Sequence, residues 1–463
     1  MSSPVPSRPG KGWRVARSAP SLPEVHGSIR IAPGGSFWKR LLAFLGPGYV
    51  IAVGYMDPGN WATDLQGGAQ FGYTLLSVVL AANFIAILLQ HLCVKLGVAT
   101  GRDLAQACRD AYPAPAVWFL WILAEIGIAA CDLAEVVGSA IGLQLLFGIP
   151  LVWGCAITAA DVLVILFLQN KGFRFIEALV ITLIGTIGAA FALELIFSKP
   201  EWGAVLGGFV PRAEILRNKE MLYVSIGILG ATVMPHNLYL HSSIIQTRKF
   251  DPTPAGKREA IKFGTLDSTV ALMLALFINA AILVLAAAAF HWSGHADVAE
   301  IQTAYRLLSP VLGVTAAGTI FALALLASGQ NSTLTGTLAG QVVMEGFLNF
   351  RLPPWLRRLV TRLVAIVPAI GVIACFGESR ANDLLVFSQV ILSMQLGFAV
   401  WPLVRFTGDR KKMGEFANPP WIKVLAWTAT ALIIVLNAKL VFDFAVPASA
   451  QRAVYGLLGL PVP

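Results

Sequence analysis

Asp57-Pro58-Gly59-Asn60 interrupts the first long apolar run of the chain, Leu41 to Ala69. A run of that length is long enough to cross a bilayer, yet its middle carries a charge, a proline and a glycine, the features most hostile to a continuous membrane helix. Backbone that leaves helical geometry at membrane depth is tolerated only where it is buried in protein or lines a cavity, and a carboxylate there is costly unless it has a task. The stretch reads as a broken helix with a carboxylate at the break.

The rest of the chain supports a membrane setting. Hydrophobic residues make up 57% of the 463, charged residues only 13%, and the mean hydropathy is +0.73. These values lie outside the range of soluble domains. Long unbroken apolar runs, rather than alternating segments of roughly ten residues, exclude a β-barrel and give an all-α integral membrane protein. The five cysteines (Cys93, Cys108, Cys131, Cys155, Cys375) form no CxxC pair and read as packing residues. The formal charge of +9 would suggest nucleic acid in a soluble protein. Here it is read loop by loop instead, and no nucleic-acid partner is expected.

Eleven spans are expected at approximately 41–69, 71–95, 115–146, 151–168, 174–197, 221–247, 263–291, 310–347, 358–376, 382–405 and 420–445. Residues 1–36, rich in Ser, Pro, Gly and basic side chains, read as a disordered tail and not as a signal peptide. With that tail inside, alternate loops carry about 25 Lys and Arg on one side against about 7 on the other. The N-terminus is therefore expected in the cytoplasm and the C-terminus, after an odd number of spans, outside.

The sixth span carries a second break, Met234-Pro235-His236-Asn237. It enters from the opposite side of the membrane from the first, the inverted-repeat arrangement in which broken helices face each other near the midplane. Residues 37–197 would then form one repeat of five spans and 198–405 the second. Residues 406–463 would hold an appended eleventh span and a C-terminal segment.

The two breaks together offer a mixed ligand set. Asp57 and Asn60, three apart, give hard oxygens from nearly one helical face, and Met234 gives a soft thioether. The carbonyls of Gly54 and Ala231 are the ones most readily freed by unwinding. Calcium or magnesium sites have no use for sulfur, so the set tilts toward manganese(II), iron(II) and softer divalent ions. A methionine inside a helical bundle ordinarily only packs; one that faces Asp57 across an inverted repeat reads as a ligand. Glu125, Asp132 and Glu135, spaced seven and three apart, line one face of the third span. Arg357, Arg358, His236 and His241 are candidate partners for that stripe. Such a chain of groups suits a proton route, because histidine titrates near neutrality, and it also suits a structural ion-pair network. Gln389 is the better ligand candidate among the intramembrane amides, with Asn83 and Asn279 read as interhelical hydrogen-bond partners.

Asp-Pro-Gly-Asn in the first span and Met-Pro-His-Asn in the sixth closely resemble the signature of the NRAMP family, proton-coupled divalent metal transporters of the LeuT-type fold. The resemblance extends through Gly46-Pro47-Gly48, Gly67-Gly68, Asp132-Leu133-Ala134-Glu135, Gly230-Ala231-Thr232-Val233, Leu238-Tyr239-Leu240-His241-Ser242, Leu326-Ala327-Ser328-Gly329 and Ser388-Gln389-Val390. It covers about residues 40 to 440. It implies discontinuous first and sixth helices, and metal coordination by Asp57, Asn60, Met234 and the Ala231 carbonyl, with Gln389 approaching in one conformation. It further implies proton movement through Asp57, His236, Asp132 and Glu135, with Arg357 and Arg358 as partners. Gly54 stands where alanine is expected in many bacterial members, which predicts a looser backbone there. Met234 sets the chain apart from the magnesium-transporting branch of the family.

The expected activity is import of manganese(II), and of iron(II), with protons across a bacterial inner membrane. No permanent cofactor is expected; the sequence leaves the oligomeric state open and is compatible with a monomer. The alternative of the same fold is a sodium- or proton-coupled amino-acid symporter, in which Asp57 would repel the substrate carboxylate. A membrane metalloenzyme is disfavoured because there is no HExxH and the six histidines form no zinc set. A metal-sensing receptor is disfavoured because there is no soluble signalling domain.

Overall fold

The structure, a computed structural model, describes residues 12–17, 19–31, 36–160, 172–295, 298, 300–350, 352–378 and 380–445; among these, the side chains of residues 354, 357, 358, 361, 440 and 443–445 lie outside the description. The architecture is helical, with one two-residue pair of parallel strands, Ile29–Arg30 with Arg248–Lys249. Seven of the described helices are long and apolar enough to cross a membrane.

Both predicted breaks are present. The first span is two helices, Pro47–Gly54 and Pro58–Phe71, and the sixth is Lys219–Thr232 followed by Pro235–Ile244. Each second half starts on proline at its first position, where the missing N–H costs nothing. Asp57 caps the half-helix of the first span, accepting from the Asn60 backbone N–H at 2.8 Å.

The third span (Ala114–Phe147) packs against the eighth (Ala317–Leu348) and the tenth (Arg380–Gly408), while the seventh (Pro254–Ala286, continued as a π-turn to His291) packs against the second (Leu76–Thr100) and both halves of the first. The broken helices thus lie inside a cage of continuous ones. Of the two broken spans the sixth is buried almost throughout, whereas the eleventh span (Pro420–Ala445) lies at the periphery.

Two expectations are corrected. The eighth span does not begin at 310: a separate helix, Ile301–Leu312, ends at Gly313 in a left-handed conformation with φ +67°, and the spanning helix starts at Ala317. Residues 310–327 carry no charged side chain across the turn at Gly313, so hydropathy alone joins the last turn of the first helix to the second. Residues 12–31 are also not a free tail where they are described. Trp13 and Leu22 are buried in the body, Leu22 N–H donates to Glu345 at 3.0 Å, and Ser21 Oγ donates to Asp103 at 2.6 Å. The segment has no core of its own and borrows that of the bundle. The fourth span is described as Leu151–Ile157 and a turn to Ala160; the remainder of its expected range, 161–168, lies outside the described residues, as do 446–463.

Candidate metal and proton site

The two prolines determine which carbonyls the breaks set free. In a helix the carbonyl of residue i accepts from the N–H of residue i+4. For Gly54 that residue is Pro58, and for Ala231 it is Pro235; neither has an N–H to give. Both orphaned oxygens turn to the same side chain. Asn60 Nδ2 donates to Ala231 O at 3.0 Å, to Gly54 O at 3.4 Å and to Asp57 Oδ1 at 2.7 Å. Three oxygens, one of them a carboxylate's, therefore converge on one buried point between the two breaks.

The remaining carbonyls of the first break are satisfied elsewhere. Tyr55 O accepts from Asn279 Nδ2 at 2.7 Å, and Met56 O accepts from Trp61 Nε1 at 3.1 Å and from Ser328 Oγ. Asn279, read from sequence as a hydrogen-bond partner between helices, has that role in holding the break. Asn83 likewise reaches across to the seventh span, with Nδ2 3.9 Å from the Met273 sulfur.

Met234 and Gln389 complete the surround. A methyl group placed on Gly54 would meet the Met234 sulfur at 3.2 Å and the Asn237 amide nitrogen at 2.2 Å, so the sulfur faces this break directly. The same distances correct the expectation of a loose backbone at Gly54: the space an alanine would fill holds Asn237. Gln389 Nε2 lies 3.4 Å from Asp57 Oδ2 and 3.2 Å from Ser388 Oγ, and it lies against Gly59, where any side chain would overlap it. Among the described residues no group of three His, Cys, Asp or Glu is disposed to hold a metal. The donors here are one carboxylate, amides, carbonyls and a thioether.

A second set of groups starts one helix away. Glu135 and Asp132 are buried in the third span, and Arg362 of the ninth span stands 3.6 Å from Glu135 Oε2 and 4.0 Å from Asp132 Oδ1. Cys131 Sγ lies 3.5 Å from Glu135 Oε1 and 3.7 Å from His236 Nε2, and it packs against Met234. The chain His236, Cys131, Glu135, Asp132, Arg362 therefore runs from the sixth-span break into the bundle.

Arg362 and Cys131 are the members that sequence reasoning missed. Cys131 was read as packing. From sequence Arg362 reads as one of the basic charges at the start of the ninth span, although its place four residues after Arg358 puts it deeper in that span. The candidates Arg357 and Arg358 have side chains outside the described residues. Glu125 accepts from Trp121 Nε1 at 3.0 Å on the same helix. His241 is not part of this chain: its Nδ1 pairs with Gln90 Oε1 at 2.9 Å, and Gln90 in turn donates to Tyr55 Oη at 2.8 Å. One and a half helical turns beyond His236, the ring faces the second span rather than the third.

Residues 48–443 match the family described as Natural resistance-associated macrophage protein-like. The chain is 66% identical over 424 residues to a divalent metal cation transporter MntH of Nostoc sp., covering 92% of this chain and 96% of that one. It is 59% identical over 444 residues to the protein of the same name from Agrobacterium fabrum, covering 96% of each. Crystal structures of the Eremococcus coleocola manganese transporter superpose with a TM-score of 0.86 at 40% identity, over 95% of both chains. A more distant likeness, TM-score 0.57 at 15% identity, is to the nucleobase-cation-symport-1 transporter Mhp1, and it extends the LeuT-type fold beyond the family. With the two breaks, their freed carbonyls and these matches, the chain belongs to the NRAMP family.

Proposed function

We propose that the protein imports manganese(II), with iron(II) as a second cargo, into the cytoplasm together with protons, by alternating access around Asp57. The relatives' names support divalent metal as the cargo. The observation that carries the reading is the convergence of the Asp57 carboxylate with the Gly54 and Ala231 carbonyls, faced by the Met234 sulfur. Such a point attracts a cation of intermediate softness. An amino-acid carboxylate would meet oxygen and sulfur lone pairs there, so the symporter alternative has no support from this arrangement.

On metal entry, the Asn60 amide must release the oxygens it now holds, and rotating it by half a turn presents its own oxygen to the ion. Gln389 is placed to follow Asp57. The buried Glu135 and Asp132, joined to the break through Cys131 and His236, give a proton a path separate from that of the metal, with Arg362 offsetting their charge. Arginine stays charged throughout, so in this reading it holds the acids and does not relay. The basic face that receives residues 12–31 is cytoplasmic in this orientation, the N-terminus inside and the C-terminus outside.

The reading is tested by manganese uptake into cells expressing the protein. Unlabelled manganese and iron(II) are expected to compete, and amino acids are not. Competition by an amino acid in place of the metals would overturn it.

A further inference from the structure

On the basic face, where residues 12–31 cross the bundle, lies a cleft of about 470 Å³ whose lining shares no residue with the metal site. One wall is the N-terminal segment with Arg17 and His26; the others are the turn that ends the second span at Gly101, the strand Arg248–Lys249 after the sixth span, and Lys257 at the start of the seventh. The segment is fastened at the cleft's edge by Gly27 N–H, which donates to Gln246 O at 2.9 Å, and by the pairing of Ile29 and Arg30 with Arg248 and Lys249.

The charge in this cleft is one-sided. Among the described residues no carboxylate lines it, while Arg17, Lys249 and Lys257 all do. The Arg17 guanidinium lies over Gly101, 2.7 Å from where a side chain there would start. Lys257 Nζ donates to the Ala99 carbonyl at 2.9 Å. Arg248 is different, because its guanidinium is fully engaged with Glu177 at 2.5 Å and with Leu45 O at 2.7 Å. The carboxylates whose charge reaches these cations, Asp103 and Asp110 for Arg17 and Glu415 for Lys257, stand outside the lining and bond elsewhere: Asp110 to Arg102 at 2.7 Å, Asp103 to Ser21, and Glu415 to Arg258. Asp251, beside the lining residues Phe250 and Pro252, accepts from the Thr253 backbone N–H at 2.9 Å. Burial, with Arg102 adding to it, pulls the Arg17 guanidinium below its usual range, and burial beside Arg17 does the same to His26. Packing like charges together in a half-buried cleft is unfavourable unless an anion answers them.

We propose that this cleft binds a phosphate-bearing anion, held by Arg17, Lys249 and Lys257, which fastens the N-terminal segment to the ends of the second and sixth spans. The planar guanidinium suits a bidentate grip on phosphate oxygens, and the two ammonium groups act as point charges beside it. The volume is within the ordinary range for a small ligand and exceeds what a single halide fills. Because the cleft sits where the spans end, the phosphate can come from a soluble phosphate compound or from a lipid headgroup.

The test uses the purified full chain in uncharged detergent, titrated with inorganic pyrophosphate while thermal unfolding and tryptic cleavage at the basic residues of the N-terminal segment are followed. A saturable rise in the unfolding midpoint and slower cleavage of the segment are expected. In Arg17→Gln/Lys257→Gln the half-saturating concentration is expected to rise on the order of tenfold or more, with manganese binding unchanged. The charge-retaining Arg17→Lys/Lys257→Arg is expected to recover most of the effect. If pyrophosphate does nothing but nanodiscs of phosphatidylglycerol, compared with phosphatidylcholine, protect the segment in a manner the Gln variant loses, the site takes a lipid headgroup. No response to either probe, or an equal response in the Gln variant, would overturn the proposal.

Discussion

At the residue scale, the proposed chemistry rests on a few side chains that differ in how visibly the sequence carried them. Asp57, Asn60 and Met234 were legible because a carboxylate, an amide and a thioether at two proline breaks have no bland explanation together. Arg362 and Cys131 were not, since a basic residue at the foot of a span and a small apolar-looking thiol are ordinary taken singly; only the packing of the third, sixth and ninth spans makes them neighbours of Glu135. Met234→Ala is expected to weaken exclusion of calcium and magnesium more than it weakens manganese transport, because a soft ligand is lost while every hard one stays. Uptake of radioactive calcium against manganese checks this, and continued exclusion of calcium would remove the sulfur from the selectivity argument. Arg362→Gln removes a positive charge that stands within 4.0 Å of two buried carboxylates. It is expected to slow proton movement while manganese binding by calorimetry changes little; a loss of binding equal to that of an Asp57 variant would place Arg362 in the metal site instead.

At the scale of the element, the breaks depend on proline chemistry more than on any ligand. Pro58 and Pro235 withhold the N–H groups that would otherwise close over Gly54 O and Ala231 O, and the two half-helices then present those oxygens to each other. Pro235→Ala restores a donor to Ala231 O. The expected result is a sixth span that is more continuous and a manganese affinity lower by on the order of tenfold, the equivalent of about 1.4 kcal/mol for a ligand oxygen now engaged in the helix. Calorimetry with manganese measures it, and unchanged affinity would mean that the carbonyl is no ligand. Helix ends were the least legible part of this level. The eighth span was misplaced because residues 310–327 carry no charge between the end of Ile301–Leu312 and the helix from Ala317, and the turn at Gly313 is a backbone event that hydropathy does not register. Likewise the segment 12–31 reads as unstructured in isolation, and its order comes from contacts with Asp103, Gln106 and Glu345, far along the chain.

For the whole molecule, the inverted repeat was legible from the two breaks alone, and the likeness to the Eremococcus coleocola transporter agrees with that architecture. Orientation rests on the distribution of basic residues and is open to a direct check. Cys375, at the far end of the ninth span, is exposed, whereas Cys93, Cys108, Cys131 and Cys155 are buried. With the N-terminus in the cytoplasm, a membrane-impermeant maleimide is expected to label intact cells at Cys375 and to lose that labelling in Cys375→Ser. Labelling that appears only after the membrane is opened would invert the topology. The central claim is that a metal at Asp57 and a proton cross together. It is tested most directly by manganese uptake into proteoliposomes that enclose a pH dye: uptake with internal acidification is expected, both lost in Asp57→Ala, whereas manganese uptake with no change in internal pH would contradict it.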